Sequence, residues 1–223
     1  MSNRKSASKD RRALLSGLGI AAVAGVALGG TTAEAAAKPG KFKPKFHELD
    51  AWLDAIPGDH RVFIDTDSPS GATNALRYAT NILNAQVNGY GGRESDVAII
   101  ICLRHASTMF GFVDAMWARY GSTFGAMSRT GAPGGAADAA PPTKNAQAAA
   151  LAAAAAKGMH FAICDAATTL MSGMAARTAG KTQQEVHDEL VANTIASAHM
   201  VPAGVMAVIR AQEHGYSLLY SAS

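Results

Sequence analysis

One apolar run constrains the fold of this 223-residue chain more than any other feature. Residues Val97–Leu103 read Val-Ala-Ile-Ile-Ile-Cys-Leu, a continuously apolar and mostly β-branched segment. A strand without polar alternation is buried on both faces, as the central strands of parallel sheets are. The run therefore predicts an α/β protein whose sheet is covered by helices on both sides.

The rest of the chain alternates strands with helices around this run. Further strands are predicted over 61–66, 159–164, 198–201 and 216–220, and helices over 47–55, 72–87, 108–119, 145–157, 183–192 and 202–213, with another starting at Asp165. This alternation predicts a mostly parallel sheet. In such sheets, ligand and catalytic groups gather outside the carboxyl ends of the strands. Those ends are 66–71, 104–107, 164–167 and 202–204.

The N-terminus has the pattern of an export signal. A basic stretch from Arg4 to Arg12 is followed by an apolar segment, 13–30, and residues 31–37 offer Ala-x-Ala cleavage sites. Arg11 and Arg12, directly before the apolar segment, add the twin-arginine feature. The alternative is an uncleaved anchor helix, but the segment is marginal in length and its glycines weaken a helix. We expect residues 1–37 to be a signal peptide that directs the chain through the twin-arginine translocase to the periplasm.

Composition and charge limit the number of domains and the kind of partner expected for the remaining chain. After the signal, about 185 residues remain, enough for one domain with a single core. The net charge of +3 comes largely from the signal and the lysines just behind it, so no nucleic-acid partner is expected. We interpret residues 38–58 as a linker with a short leading helix. Residues 59–223 are interpreted as an α/β domain with a Gly-, Ala- and Pro-rich insertion near 121–143.

The chain has two cysteines, Cys102 and Cys164. Cys164 ends a predicted strand, and a helix N-terminus there would favour a thiolate that could attack sulfur electrophiles or hold a persulfide. The adjacent Asp165 opposes this charge, so an inert buried cysteine is the alternative. Cys102 lies inside the most apolar strand and is interpreted as a core residue.

Polar residues at the other strand ends are candidate ligand-binding groups. His105, with Arg104 and Ser107, could bind an anion after the second strand, and Ser68 follows the first strand. The histidines and cysteines show neither His-x-x-x-His nor Cys-x-x-Cys spacing, so no metal site is predicted. Nucleotide-binding glycine motifs are missing after the strands, and no cofactor is predicted.

Three segments carry a resemblance to a known family: residues 160–165 (His-Phe-Ala-Ile-Cys-Asp), 200–205 (Met-Val-Pro-Ala-Gly-Val) and 210–216 (Arg-Ala-Gln-Glu-His-Gly-Tyr). They resemble the DsrE/DsrF-like family, particularly its exported members, with a likeness extending from Arg61 to Tyr220. The resemblance implies a three-layer α/β sandwich, related to the flavodoxin-like fold, with a five-stranded mostly parallel sheet. It also implies assembly into trimers or hexamers, and a cysteine at the position of Cys164 that carries persulfide sulfur.

These patterns favour an exported protein that binds or transfers sulfur through Cys164, with a small sulfur compound as its partner. The alternative is a non-catalytic oligomeric binding or scaffold module of the periplasm. A carrier of a metal or small ligand that uses His105 is a third hypothesis. No acid–base pair stands at a spacing that identifies an enzyme class, so enzyme activity is left open.

Overall fold

The computed structural model of the chain describes residues 43–129 and 140–222. The expected signal peptide, most of the expected linker and residues 130–139 of the expected insertion lie outside this part. The elements below all belong to the unit Pro44–Ser223. None of the helices in the described ranges is long and apolar enough to cross a membrane.

Strands and helices alternate along the described chain. The strands are β1 (His60–Thr66), β2 (Val97–Leu103), β3 (His160–Cys164), β4 (Ala198–Val201) and β5 (Ser217–Ser221). The α-helices are α1 (Ala51–Ala55), α2 (Pro69–Asn88), α3 (Asp114–Arg129), α4 (Ala148–Ala156), α5 (Asp165–Ala179), α6 (Gln183–Val191) and α7 (Gly204–Glu213). Short 3-10 helices cover Glu48–Asp50, Glu94–Asp96 and His105–Gly111.

The five strands form one sheet in the order β4-β3-β2-β1-β5, and every neighbouring pair is parallel. This confirms the predicted α/β fold with a five-stranded sheet between helical layers, and it confirms Val97–Leu103 as the central strand. All residues of β2 after Val97 are buried. Because all strands run in the same direction, their carboxyl ends lie at the same edge of the sheet. The segments that follow β1, β2, β3 and β4 therefore lie close together there.

Different helices pack against the two faces of the sheet. Side chains alternate between faces along a strand, so Ile64 and Phe63 of β1 point into separate cores. The core around Ile64 contains residues from α2, α3, α4, α5 and α6. Among residues 43–129 and 140–222, the helices that contribute to the core around Phe63 are α1 and α7. Of these two, α7 is the longer, with ten residues against five.

The structure differs from the predicted helix over 108–119. The chain after β2 forms a 3-10 helix and then an extended piece, and α3 begins only at Asp114. Val113 donates its backbone N–H to the carbonyl of Asn193, and Ile195 donates to that of Gly111. These hydrogen bonds join segments that are about 80 residues apart in the sequence. They hold the backbone extended where the apolar spacing predicted a helix. At its other end, α3 continues through 121–129, the first part of the expected insertion.

Candidate functional site

A cavity of about 600 Å³ lies at the carboxyl edge of the sheet, and we call it the strand-end pocket. It is lined by the chain after β1 at Asp67, after β2 at 104–106, by β3 and α5 between Cys164 and Leu170, by 203–205 at the start of α7, and by Met127. A cavity of about 420 Å³ lies elsewhere, between α7 and the leading segment 45–53, and no cysteine lines it. Only the first cavity combines the thiol of Cys164 with charged side chains.

Cys164 ends β3 and occupies the N-cap position of α5, where its side chain makes no capping hydrogen bond. Its side chain is 6% exposed and forms part of the pocket wall. Its Sγ accepts a hydrogen bond of 3.2 Å from the backbone N–H of Gly204, the first residue of α7. The sulfur thus lies at the N-termini of two helices, where partial positive charge and N–H donors stabilise an anion. The Gly204 N–H thus offers a hydrogen bond to the sulfur at the pocket wall.

Gly204 is held in a space that excludes a side chain. A Cβ atom at this position would lie 2.6 Å from Cβ of Arg104 and 3.2 Å from Sγ of Cys102. A contact of 2.6 Å between carbon atoms is far inside van der Waals distance, so a larger residue would push α7 away from β2 and β3. The absence of a side chain therefore lets the backbone N–H reach Cys164.

Cys102 is a core residue, as predicted. Its side chain is fully buried, and this burial raises the pKa of the thiol well above its usual range, with a further increase from the carboxylate of Asp65. A thiol held in its protonated form is a poor nucleophile. The two cysteines of this chain thus have different environments, since Cys102 is enclosed in the sheet interior and Cys164 lines the strand-end pocket.

Both cysteines are free, and their positions on the sheet disfavour a disulfide. Cys102 is paired in register with Ala162, two residues before Cys164 on the neighbouring strand. Strand spacing and rise place such diagonal Cα atoms about 8 Å apart. A disulfide requires Cα atoms closer than about 7 Å. The two thiols therefore act separately unless the backbone moves.

Arg104 is fixed at the pocket by two carboxylates. Its Nε and Nη2 donate to the two oxygens of Asp65 over 2.7 and 2.8 Å, and Nη2 lies 3.9 Å from Asp67. These contacts raise the pKa of Arg104, chiefly through the hydrogen bonds to Asp65. Asp67 in turn accepts a hydrogen bond of 2.7 Å from the hydroxyl of Tyr220, which raises the pKa of that phenol. The charge of Arg104 is therefore already balanced.

His105 is oriented by Arg104 and lies at the pocket wall. Arg104 Nη1 is 2.8 Å from Nδ1 of His105, and a guanidinium can only donate, so Nδ1 accepts. The ring then carries its N–H at Nε2, which has no hydrogen-bond partner in the described part of the chain. The backbone of His105 has a φ of 50°, a left-handed conformation that is uncommon among non-glycine residues, although histidine adopts it more often than most.

The structure brings Arg104, His105 and Cys164 together and places the two predicted serines elsewhere. The buried hydroxyl of Ser107 donates to backbone carbonyls at the ends of β1 and β2 and accepts from Thr66. Ser68 caps α2 by accepting a hydrogen bond of 3.1 Å from the backbone N–H of Gly71. Both side chains stabilise the loops behind the pocket, and neither lines it.

The sequence pattern did not reveal a partner for Asp165, the residue after Cys164. His187 of α6 places Nε2 2.7 Å from Oδ1 of Asp165. This contact directs the carboxylate toward α6, into a separate cavity of about 570 Å³. The opposing charge that the sequence predicted beside the thiolate is therefore engaged by an imidazole. A histidine 22 residues away in the chain gives no local signal for such a contact.

Within ranges 43–129 and 140–222, no group of three or more His, Cys, Asp or Glu side chains is arranged to hold a metal ion. The chain matches no protein-family model, and no curated protein matches it either. The function is therefore argued from the residues of the strand-end pocket.

Proposed function

We propose that the strand-end pocket binds a small sulfur compound and that Cys164 accepts a sulfur atom from it as a persulfide. The observation that carries this proposal is the hydrogen bond from the Gly204 N–H to Sγ of Cys164 at the wall of a cavity. Donors aimed at a sulfur stabilise the thiolate, which is the nucleophilic form. The same donors can stabilise the negative charge of a bound persulfide.

The chemistry needs no group beyond the thiol and the donor compound. The Cys164 thiolate attacks a sulfane sulfur, a new S–S bond forms, and the bond between that sulfur and the rest of the donor breaks. The electron pair of the broken bond leaves with the remainder of the donor compound, so no external oxidant or reductant is required. Nε2–H of His105 supplies a hydrogen-bond donor at the pocket wall for the departing anion.

The resemblance to the DsrE/DsrF-like family supports the same role, because a third-strand cysteine in that family's sulfur carriers matches Cys164. The pattern of residues 1–37 supports export by the twin-arginine route as a further proposal. Replacing Arg11 and Arg12 by lysine should then keep the protein in the cytoplasm, as measured by cell fractionation. Unchanged export of this double variant would contradict the twin-arginine proposal and leave the role of Cys164 to its own test.

The sulfur-acceptor proposal is tested by intact mass spectrometry of the purified protein after incubation with inorganic polysulfide. We expect a gain of about 32 Da per sulfur atom bound, removed by dithiothreitol. The Cys102→Ser variant is the matched control and should retain the adduct, whereas Cys164→Ser should lose it. Equal adducts on wild type and Cys164→Ser, or none on wild type, would contradict the proposal.

A second candidate function is a non-catalytic oligomeric module, favoured by apolar side chains on the outer face of α7. Met206 and Ile209 are 52% and 51% exposed, and Phe46 and Leu49 of the leading segment are also exposed. Apolar groups clustered on a surface are typical of subunit interfaces. Light scattering should then give a trimer or hexamer that Ile209→Glu dissociates, while Val87→Glu, an exposed site on α2, does not. A monomeric wild-type protein would exclude this candidate.

A further inference from the structure

The strand-end pocket has two chemically different sides. Asp67, Arg104 and His105 form a polar side, and the side formed by α5 and α7 is apolar. On the apolar side, Leu170 and Val205 are 61% and 56% exposed although both are large hydrophobic residues. Isolated exposed apolar residues are ordinary, but these two flank the entrance to the cavity that contains Cys164. Exposed apolar side chains that line a pocket form a surface that an apolar ligand can cover.

The charges at the pocket favour one class of sulfur donor over another. Two carboxylates, Asp65 and Asp67, face the guanidinium of Arg104. The sulfur of Cys164 carries a further negative charge at the moment when it attacks, because the thiolate is the nucleophilic form of a cysteine. The N-termini of α5 and α7 offset about one charge together. A dianion such as thiosulfate therefore meets a net repulsion near the reacting sulfur, whereas a donor with one charge or none meets much less.

Resting on the function proposed above, we propose that the donor is an organic hydropersulfide, R–S–SH, whose hydrocarbon group lies against Leu170 and Val205. The terminal sulfur of this donor reaches Cys164 at the bottom of the pocket. The hydrocarbon group covers the apolar entrance and excludes water from the reacting atoms. A cavity of about 600 Å³ accommodates a substituent of the size of an amino-acid side chain.

The transfer is balanced as a thiol exchange. The Cys164 thiolate attacks the terminal sulfur of R–S–SH, the new S–S bond forms on Sγ, and the original S–S bond breaks with its electron pair on R–S⁻. The proton given up by Cys164 is taken up by this thiolate, so the products are Cys164–S–SH and R–SH. Sulfur passes from one thiol to another, and no oxidation-state change needs an outside reagent.

The two entrance residues can be replaced without disturbing the core, because both are more than half exposed. Val205→Ser and Leu170→Ser remove the apolar surface and leave Cys164 and Gly204 in place. Val87→Ser is the matched control, since Val87 is the same residue type as Val205, lies on α2, is 40% exposed and does not line the pocket. Circular dichroism verifies that each variant keeps its fold.

The experiment measures the rate of adduct formation on Cys164 by intact mass with three donors at equal concentration: benzyl hydropersulfide generated in situ, inorganic polysulfide and thiosulfate. We expect the benzyl donor to react about tenfold or more faster than thiosulfate, and Val205→Ser and Leu170→Ser to slow it about tenfold each. Val87→Ser should leave that rate unchanged, and the rate with inorganic polysulfide should be the same in all variants.

The outcomes separate this inference from the function on which it rests. Labelling of Cys164 by polysulfide, with a benzyl rate no higher than that of thiosulfate or unaffected at positions 170 and 205, would overturn the inference and leave the sulfur-acceptor function standing. An equal loss of rate in Val87→Ser would also overturn it, because the effect would then not belong to the pocket entrance. Labelling of Cys164 by none of the three donors would overturn both.

Discussion

The backbone N–H of Gly204 donates a hydrogen bond to Sγ of Cys164 across 3.2 Å, which joins the start of α7 to the end of β3. This one contact connects the third and fourth strands of the sheet at the place where a ligand would bind. It also explains why residue 204 has no side chain, since a Cβ there would collide with Arg104 and Cys102. The first prediction tests this contact.

Replacing Gly204 by alanine should lower both stability and thiol reactivity. The added Cβ must displace backbone-anchored neighbours, which costs about 1–3 kcal/mol of unfolding free energy. The N–H would move away from Cys164, so alkylation by iodoacetamide should slow. Gly173→Ala is the control, because its Cβ would meet only the flexible side chain of Gln183. Alkylation of Gly204→Ala at the wild-type rate would show that the hydrogen bond does not activate the thiol.

The two cysteines should differ sharply in alkylation of the native protein. Cys102 is fully buried, and this burial raises the pKa of its thiol, whereas Cys164 faces the pocket. Mass spectrometry should find one modified residue in the native protein, at Cys164, and two in urea. Cys102→Ser should leave the native reaction unchanged. Modification of Cys102 at a comparable native rate would mean that the sheet interior opens more readily than its packing indicates.

Breaking the ion pair between Asp65 and Arg104 should destabilise the fold, because it leaves a largely buried charge without its partner. The side chains are 8% and 13% exposed and share two hydrogen bonds. Asp65→Asn should therefore lower the unfolding free energy by about 3 kcal/mol in urea titrations. The surface pair of Lys157 and Glu94 is the comparison, and Glu94→Gln should cost less than about 1 kcal/mol. Equal losses in the two variants would contradict this assignment.

Stability should fall in mild acid because of His160 and His199. Their facing ring nitrogens are 3.0 Å apart, and Trp52 stacks on His199. Burial lowers the pKa of both imidazoles, and His160 lowers that of His199 further. A pKa that is lower in the folded state than the ordinary value of about 6.5 means that the unfolded chain binds protons more readily. The stabilisation is therefore complete above pH 6.5 and is lost as the pH falls through the lower, folded-state pKa values.

Urea midpoints at several pH values between neutral and mildly acidic conditions measure this dependence. His199→Gln should flatten the decline, since glutamine keeps a hydrogen-bonding group at this site without titrating. His47→Gln, at an exposed site in the leading segment, should leave the decline as it is in the wild type. A decline of the same steepness in His199→Gln and wild type would assign the acid sensitivity to other groups.

The local patterns of the sequence predicted the sheet well. The apolar run of β2 and the apolar segment ending at Cys164 are confirmed as buried strands. Such strands can be predicted because burial on both faces requires apolar residues at consecutive positions. The extended piece near Val113 was not predicted, because its hydrogen bonds come from Asn193, far along the chain. Apolar spacing alone cannot distinguish a helix from a segment held extended by a distant partner.

The candidate site was predicted in part for the same reason. Cys164 and His105 follow strands, and the carboxyl ends of parallel strands meet, so their proximity could be inferred. The contact of Gly204 with Cys164 depends on how α7 packs against two strands, and that of His187 with Asp165 depends on the packing of α6. Such contacts arise from tertiary packing and have no signature within a short window of sequence.

The proposed sulfur-acceptor function depends most directly on which residue binds the sulfur. The deciding measurement is peptide mapping by tandem mass spectrometry after the native protein has reacted with polysulfide and its thiols have been blocked. We expect the persulfide on the peptide that contains Cys164, with none on the peptide of Cys102 and none anywhere in Cys164→Ser. A persulfide on Cys102, or a native protein without any persulfide, would show that Cys164 is not the acceptor.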